Sequence, residues 1–219
     1  MNRIPVGCIP GLPESLHPFV ADAALYDSSC SPNAKVWFSE AEGGIYIKTA
    51  PAGTLKTEAE MNAFFHSKKM GAEVLSYLSL DADWMVTRAV PGEDCIHPMY
   101  LEDPKKLSET LGNLLRILHN TDCTGCPIVL PHLEKDEPVL IHGDYCLPNV
   151  MLDNWRFSGF IDVGGGGVGD RHIDLYWGCW SIQYNLKDSR WCSRFLDAYG
   201  REAIDPEKLR HIHAQEFPE

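Results

Sequence analysis

The residues best able to do chemistry together lie between positions 139 and 174. His142-Gly143-Asp144-Tyr145-Cys146-Leu147-Pro148-Asn149 stands between two short apolar runs, 139–141 and 150–152, and so reads as a loop between β segments. A third run, 157–161, reads as a strand that delivers Asp162 onto a glycine turn. Two carboxylates and one carboxamide are thus gathered at neighbouring strand ends. Phosphoryl transfer needs such a set. A carboxylate orients the acceptor hydroxyl, and a few hard oxygen ligands hold a magnesium ion that keeps much of its water shell. Asp144 is the candidate hydroxyl-orienting base, and Asn149 and Asp162 are the candidate metal ligands. One aspartate in such a loop would be only a solvated turn. The ordered set is what points to chemistry.

His-Gly-Asp-x-x-x-x-Asn followed by Ile-Asp-x-Gly resembles the catalytic loop and metal-binding segment of the aminoglycoside phosphotransferase family, relatives of protein kinases. Residues 159–164, with Gly169-Asp170-Arg171 and Asp174, are similar to its 3'-phosphotransferase branch. The resemblance implies an α+β, two-lobed, protein-kinase-like fold. Its N-terminal lobe, 1–90, would be an antiparallel sheet that binds nucleotide, and its C-terminal lobe, 91–219, would be mainly helical. The implied reaction moves the γ-phosphoryl group of ATP (or GTP), with Mg2+, onto an aminoglycoside hydroxyl, the 3' position, and so confers antibiotic resistance. Asp144 would then also touch the substrate.

These groups need elements to position them. The polar cluster 27–34 precedes a strand at 35–38, and its Ser31-Pro32-Asn33-Ala34 run resembles the family's nucleotide-covering loop, which makes Ser31 a phosphate-side candidate. Glu42-Gly43-Gly44 reads as a turn into a second strand, 45–48. Lys48 closes that strand, and Glu60, in a helix-like segment 55–69, is placed to reach back and hold it against the α and β phosphates. Two charges on adjacent elements can equally be a plain surface ion pair. Tyr46 shares a strand face with Lys48 and matches a family position that covers the adenine, although a core or edge tyrosine would look the same. A strand pair at 74–80 and 84–90 ends at Pro91-Gly92. The resemblance makes 87–90, including Arg88 and Val90, the hinge that meets the adenine edge.

Beyond the hinge, Asp103-Pro104 opens a helix whose leucines at 107, 111, 114, 115 and 118 form a clean 3.6-residue face ending at His119-Asn120. His119 reads as structural. The glycines 164–167 would let the backbone turn tightly near the phosphates. Residues 172–186 read as a helix with Trp177 and Trp180 facing the core. Asp174 near its start matches a family aspartate that braces the catalytic loop, and is equally favoured there by the helix dipole. Two more helices are expected at 189–199 and 206–216. The leader, 1–26, is expected to be irregular with a short helix near 18–25. Glu216 resembles part of the family's acidic, aromatic C-terminus and is a substrate-site candidate.

Nineteen basic against 31 acidic residues give a net charge of −12, which argues against nucleic acid or an anionic membrane as partner and suits a polycationic small molecule. No transmembrane-length run or signal-peptide core is evident, so a cytoplasmic protein, monomeric or a weak dimer, is expected. The eight cysteines are then expected to be reduced thiols, and Cys123-x-x-Cys126 lacks the partners for zinc. The chain departs from the family between Cys126 and Pro138. There a short, proline-bearing linker replaces helices that carry acidic residues for the aminoglycoside. The phosphate half of the site is left intact and the acceptor half open. Two alternatives follow: a kinase of a macrolide, choline, homoserine or sugar amine, or a non-catalytic nucleotide-binding protein.

Overall fold

The computed structural model of the protein describes residues 3–216 apart from 31, 33 and 131–137, and side chains through residue 214. Six strands, β1 (Ile4–Val6), β2 (Leu25–Asp27), β3 (Lys35–Ser39), β4 (Ile45–Pro51), β5 (Val74–Ser79) and β6 (Ala82–Arg88), form one sheet in the order β1-β2-β3-β4-β6-β5, with every neighbouring pair antiparallel. Alternation along β4 buries Ile45 and Ile47 completely and leaves Tyr46 and Lys48 on the opposite face. The buried pair packs with Val86 and with Trp37 and Trp84, which stack 6.2 Å apart. Each such aliphatic side chain contributes about 1.5–3 kcal/mol by leaving water. The sheet is therefore a stiff plate whose other face, carrying Tyr46, Lys48 and Met85, receives the helix Lys56–Ser67 beside it.

The leader differs from expectation. Rather than an irregular run with a helix near 18–25, it supplies the outer strands β1 and β2 and a 3-10 turn at Glu14–Phe19. Its strands are three residues long, too short to show alternation, and Pro18 inside the turn bars a regular helix.

The helix α1 (Lys56–Ser67) crosses under the sheet and is anchored at its start by Asp83 on β6. That fully buried carboxylate accepts hydrogen bonds from the Leu55 N–H at 2.9 Å, the Tyr77 hydroxyl at 3.1 Å and the Ser79 hydroxyl at 2.8 Å. A buried charge is tolerated only with such partners. Here they fix the rotation of α1 against the sheet.

The rest of the chain runs through β7 (Glu93–Asp94), α2 (Pro98–Leu101), α3 (Pro104–His119), β8 (Val139–Ile141), β9 (Val150–Asp153), β10 (Arg156–Phe160), β11 (Gly167–Gly169), α4 (Arg171–Leu186), α5 (Ser189–Tyr199) and α6 (Pro206–Glu216). Asp103 caps α3 by accepting the Lys106 N–H at 3.1 Å, and Leu107, Leu111, Leu115 and Leu118 are buried. Gly112 lets α5 come close, because a Cβ there would lie 2.3 Å from the Phe195 carbonyl oxygen. Strands β7, β9 and β10 form one small sheet and β8 with β11 another; the catalytic-type loop hangs between β8 and β9. The β9–β10 hairpin turns through Asn154 (φ 49°) and Trp155 (φ 68°), both left-handed, as a tight two-residue hairpin requires.

Two expectations fail in α4. Leu175, Gly178 and Ile182 take its buried face, and the 3.6-residue period then puts Trp180 on the outside, 39% exposed, with Trp177 only partly covered. The cysteines are not all free thiols either. Cys179 of α4 and Cys192 of α5 form a disulfide, because the packing of the two helices, joined only through Lys187 and Asp188, brings their Cα atoms to 5.0 Å. The other six are free. The linker enters beside β11, with the Leu130 N–H donating to the Val168 carbonyl at 3.0 Å, and its segment 131–137 lies outside the described residues. Among the described residues no helix is long and apolar enough to cross a membrane.

Candidate active site

Between the sheet, α1 and the segment of Ile161 and Asp162 lies a cavity of about 690 Å³, walled by Tyr46 and Lys48 of β4, Glu58 of α1, Met85 of β6, Val90, and Asp162. Lys48 is its principal cation. Its Nζ lies 2.8 Å from both oxygens of Glu58 and 3.4 Å from Oδ1 of Asp162, so it ties the sheet to the turn that follows β10. Burial pulls the Lys48 pKa down, but the Asp162 and Glu58 charges outweigh it and hold the ammonium above its ordinary value. Burial raises the Glu58 carboxyl, against the lowering effect of Lys48.

The expected partner of Lys48 was Glu60, and this is corrected. Glu60 instead faces Lys56 at 3.8 Å on the exposed side of α1. Glu58 shares a helix face with Asn62 and Phe65, both buried, whereas Glu60, two residues on, is turned about 200° away.

The loop after β8 is built around two buried histidine contacts. His142, fully buried, accepts the Asp144 N–H at Nδ1 (3.3 Å) and donates from Nε2 to the Ile161 carbonyl (3.0 Å), a pattern that one neutral tautomer satisfies. Burial holds its pKa below the ordinary histidine value. Asp174, also fully buried, accepts the N–H groups of His142 at 2.7 Å and Gly143 at 2.8 Å and meets Nε2 of His119 at 3.2 Å. It therefore braces the loop itself, and His119 is a structural link between it and the Tyr199 hydroxyl at 2.8 Å. Gly143 (φ +83°) is required. A Cβ there would sit 2.0 Å from the Gly165 carbonyl oxygen, where the glycine run folds back on the loop.

Asp144 is held at both oxygens. The Asn149 Nδ2 donates to Oδ2 at 2.9 Å and to the Asp144 carbonyl at 3.0 Å, and the Cys146 thiol donates to Oδ1 at 3.0 Å. Burial and the Asp144 charge push that thiol far above its ordinary pKa, so it remains a donor. Sequence reasoning missed Cys146, for nothing in a lone cysteine announces a carboxylate beside it. Because the amide nitrogen of Asn149 is engaged, its Oδ1 is left as the ligand atom. Asp162 adopts a left-handed turn (φ 55°) that leaves its carboxylate 56% exposed, and the Ile161 N–H beside it bonds the Asn149 carbonyl at 3.1 Å. Asp144 and Asn149 are thus joined through their side chains, and the backbone just before Asp162 is tied to Asn149. Asp162 lines the cavity; Asp144 and Asn149 do not.

Of the other candidates, Tyr46, Arg88 and Val90 all line the cavity. The Arg88 guanidinium is turned to Glu73 at 3.0 Å and Glu42 at 3.8 Å, and the N–H groups of Arg88 and Ala89 bond the Glu73 and Gly44 carbonyls. Ser31 and the side chain of Glu216 lie outside the described residues. Among the described residues no three histidine, cysteine or carboxylate side chains form a metal cage.

The family model described as "Phosphotransferase enzyme family" matches residues 127–212. A protein of Lactococcus lactis named "Probable aminoglycoside 3'-phosphotransferase" is 39% identical, covering 91% of this chain and 92% of its own length. That alignment runs to 241 positions against 219 residues here, so the relative carries residues without a counterpart in this chain. Among solved structures, an aminoglycoside-3'-phosphotransferase of type VIII superposes with a TM-score of 0.75 at 23% identity, covering 90% of this chain and 93% of that one. The Streptomyces rimosus enzyme APH(3'')-Id, in complex with ADP and streptomycin, does so with a TM-score of 0.66 at 22% identity, covering 80% and 86%.

Proposed function

The chain belongs to the aminoglycoside phosphotransferase family, and we propose that it transfers the γ-phosphoryl group of ATP, with GTP as a second donor to be tested, to the 3' hydroxyl of an aminoglycoside. The observation that carries the reading is the Lys48 ammonium. It is fixed by Glu58 and reaches Asp162 from the opposite wall of the cavity, while the Ile161 N–H before Asp162 bonds the carbonyl of Asn149, whose side chain holds Asp144.

In this reading the nucleotide occupies the cavity, with its base near Tyr46 and Val90 and its phosphates at Lys48. The division between the nucleotide and acceptor lobes falls after Val90, at Pro91-Gly92. Asn149 Oδ1 and the Asp162 carboxylate are hard oxygen donors of the kind magnesium accepts, and two protein ligands suffice when phosphates and water complete the shell. When bound, the ion neutralises charge on the phosphates. Asp144 orients the acceptor hydroxyl and takes its proton as the oxygen attacks phosphorus. An incoming hydroxyl meets a carboxylate already held by Asn149 and Cys146, so little reorganisation is needed. Asp174 and His142 contribute by keeping the loop backbone in place. A net charge of −12 favours approach of a polycationic acceptor. The protein acts in the cytoplasm, as a monomer or weak dimer.

Mass spectrometry of kanamycin and neomycin after incubation with the protein, magnesium and ATP tests the proposal. Addition of one phosphate to the drug is expected. An unchanged drug at high concentration, with ATP bound but not consumed, would point to a nucleotide-binding protein without transfer.

A further inference from the structure

The turn of α4 that supports the catalytic loop also carries an aromatic surface. Around the helix, Asp174 and Ser181 face the loop: Asp174 takes the His142 and Gly143 N–H groups, and Ser181 Oγ takes the Leu147 N–H at 3.0 Å. Trp177, Tyr184 and Trp180 follow next around the cylinder, opposite the buried Leu175, Gly178 and Ile182. Trp180 and Tyr184 stack with ring centroids 5.2 Å apart and planes 8° from parallel, and Trp177 meets Trp180 edge-on at 5.7 Å. The stacked pair is nevertheless open to solvent, Trp180 by 39% and Tyr184 by 59%. A contiguous aromatic surface left in water marks a contact site more often than a single exposed ring does.

Its place and its chemistry both narrow the occupant. The main chain from Asp144 to Leu147, which rests on Ser181, spans at most about 11 Å. The stack therefore stands on the helix that holds the catalytic loop three residues from Asp144. From Leu175 to the end of α4 there is no acidic residue, so the helix itself brings no carboxylate to this face. It offers π faces instead. An ammonium already uses one: Lys187 Nζ sits 4.3 Å from the centre of the Tyr184 ring. Aromatic faces attract ammonium groups through the ring quadrupole, and their apolar area covers the carbon skeleton that bears the charge.

Resting on the phosphotransferase reading above, we propose that the Trp180–Tyr184 stack is the acceptor platform of this protein, holding an ammonium-bearing sugar ring on its exposed face while a hydroxyl of the same molecule reaches Asp144. Recognition on this side is then by cation–π contact and ring coverage rather than by ion pairs. The acceptor's ammonium replaces that of Lys187 over the ring.

The test uses the full chain, with kanamycin and neomycin as probes, in two readouts: intrinsic tryptophan fluorescence during drug titration, and steady-state kinetics with ATP. In Trp180→Ala and Tyr184→Ala, drug Kd and KM rise about 3- to 30-fold, while the KM for ATP is unchanged and Trp180→Phe retains most of the affinity. Drug affinity within twofold of the parent in both alanine variants overturns the proposal, as does the absence of any titration by either drug. The two readings fail separately. Binding that is lost in Trp180→Ala but accompanied by no phosphate transfer leaves the platform and removes the reaction. Transfer that survives with unchanged drug KM does the reverse.

Discussion

Lys48 is held by Glu58 through two contacts of 2.8 Å, with the lysine side chain 20% exposed and the glutamate 12%. So covered, the pair is little screened by solvent. Glu58→Gln keeps the shape and one acceptor but removes the charge, and a hydrogen bond between charged groups contributes about 1.5–3 kcal/mol. If that energy is what holds the ammonium at the phosphates, kcat/KM for ATP falls about 10- to 150-fold. Glu60→Gln is the control. Its partner Lys56 is 3.8 Å away, and the two side chains are 43% and 69% exposed. Such a pair is worth under about 0.5 kcal/mol before screening, and kcat/KM stays within twofold. A coupled assay of ADP release at saturating kanamycin measures both variants. Equal damage from the two substitutions, or none from Glu58→Gln, would refute the assignment of Glu58 as the residue that positions Lys48.

Two further predictions follow from the loop. Gly143→Ala places a methyl group against the Gly165 carbonyl at a left-handed φ. Activity should fall at least a hundredfold and the urea midpoint should drop, whereas Gly7→Ala, with open space around it, leaves both unchanged. Stability should also depend on pH through His119 and His142, whose pKa values burial holds below the ordinary histidine range. Below about pH 6.5 the unfolded chain binds protons that the native state refuses, so stability is present above that pH and is lost on acidification. Thermal melts from pH 7.5 to 5.5 should show a falling Tm; a flat profile would mean that these histidines protonate without leaving the fold.

The parts of the molecule legible in sequence are those with a local signature. The helix Pro104–His119 is marked by its Asp-Pro start and leucine period, and it is found with those bounds. The strands around His142–Asn149 are short, but the polar residues between them are distinctive. Illegible were features decided by which neighbour an element meets. Glu58 and Glu60 differ only in the rotation of α1, which is set by Asp83 from another strand. Trp180 reads from sequence as facing the core, yet Gly178 takes the inward position: a Cβ there would lie 2.7 Å from the Phe195 ring. The Cys179–Cys192 disulfide depends on how two helices pack, which their spacing in the chain does not reveal. The outer strands β1 and β2 are three residues each, and β2 finds its register against β3 and β1 against β2.

Asp144→Ala in the full chain, with ATP binding and phosphate transfer measured side by side, tests the central claim that one carboxylate orients the acceptor while separate groups hold the nucleotide. The account predicts that transfer to kanamycin is abolished and that the Kd for magnesium–ATP stays within about threefold of the parent, since Asp144 lies outside the nucleotide cavity. Transfer that persists, or loss of nucleotide binding together with transfer, would contradict it.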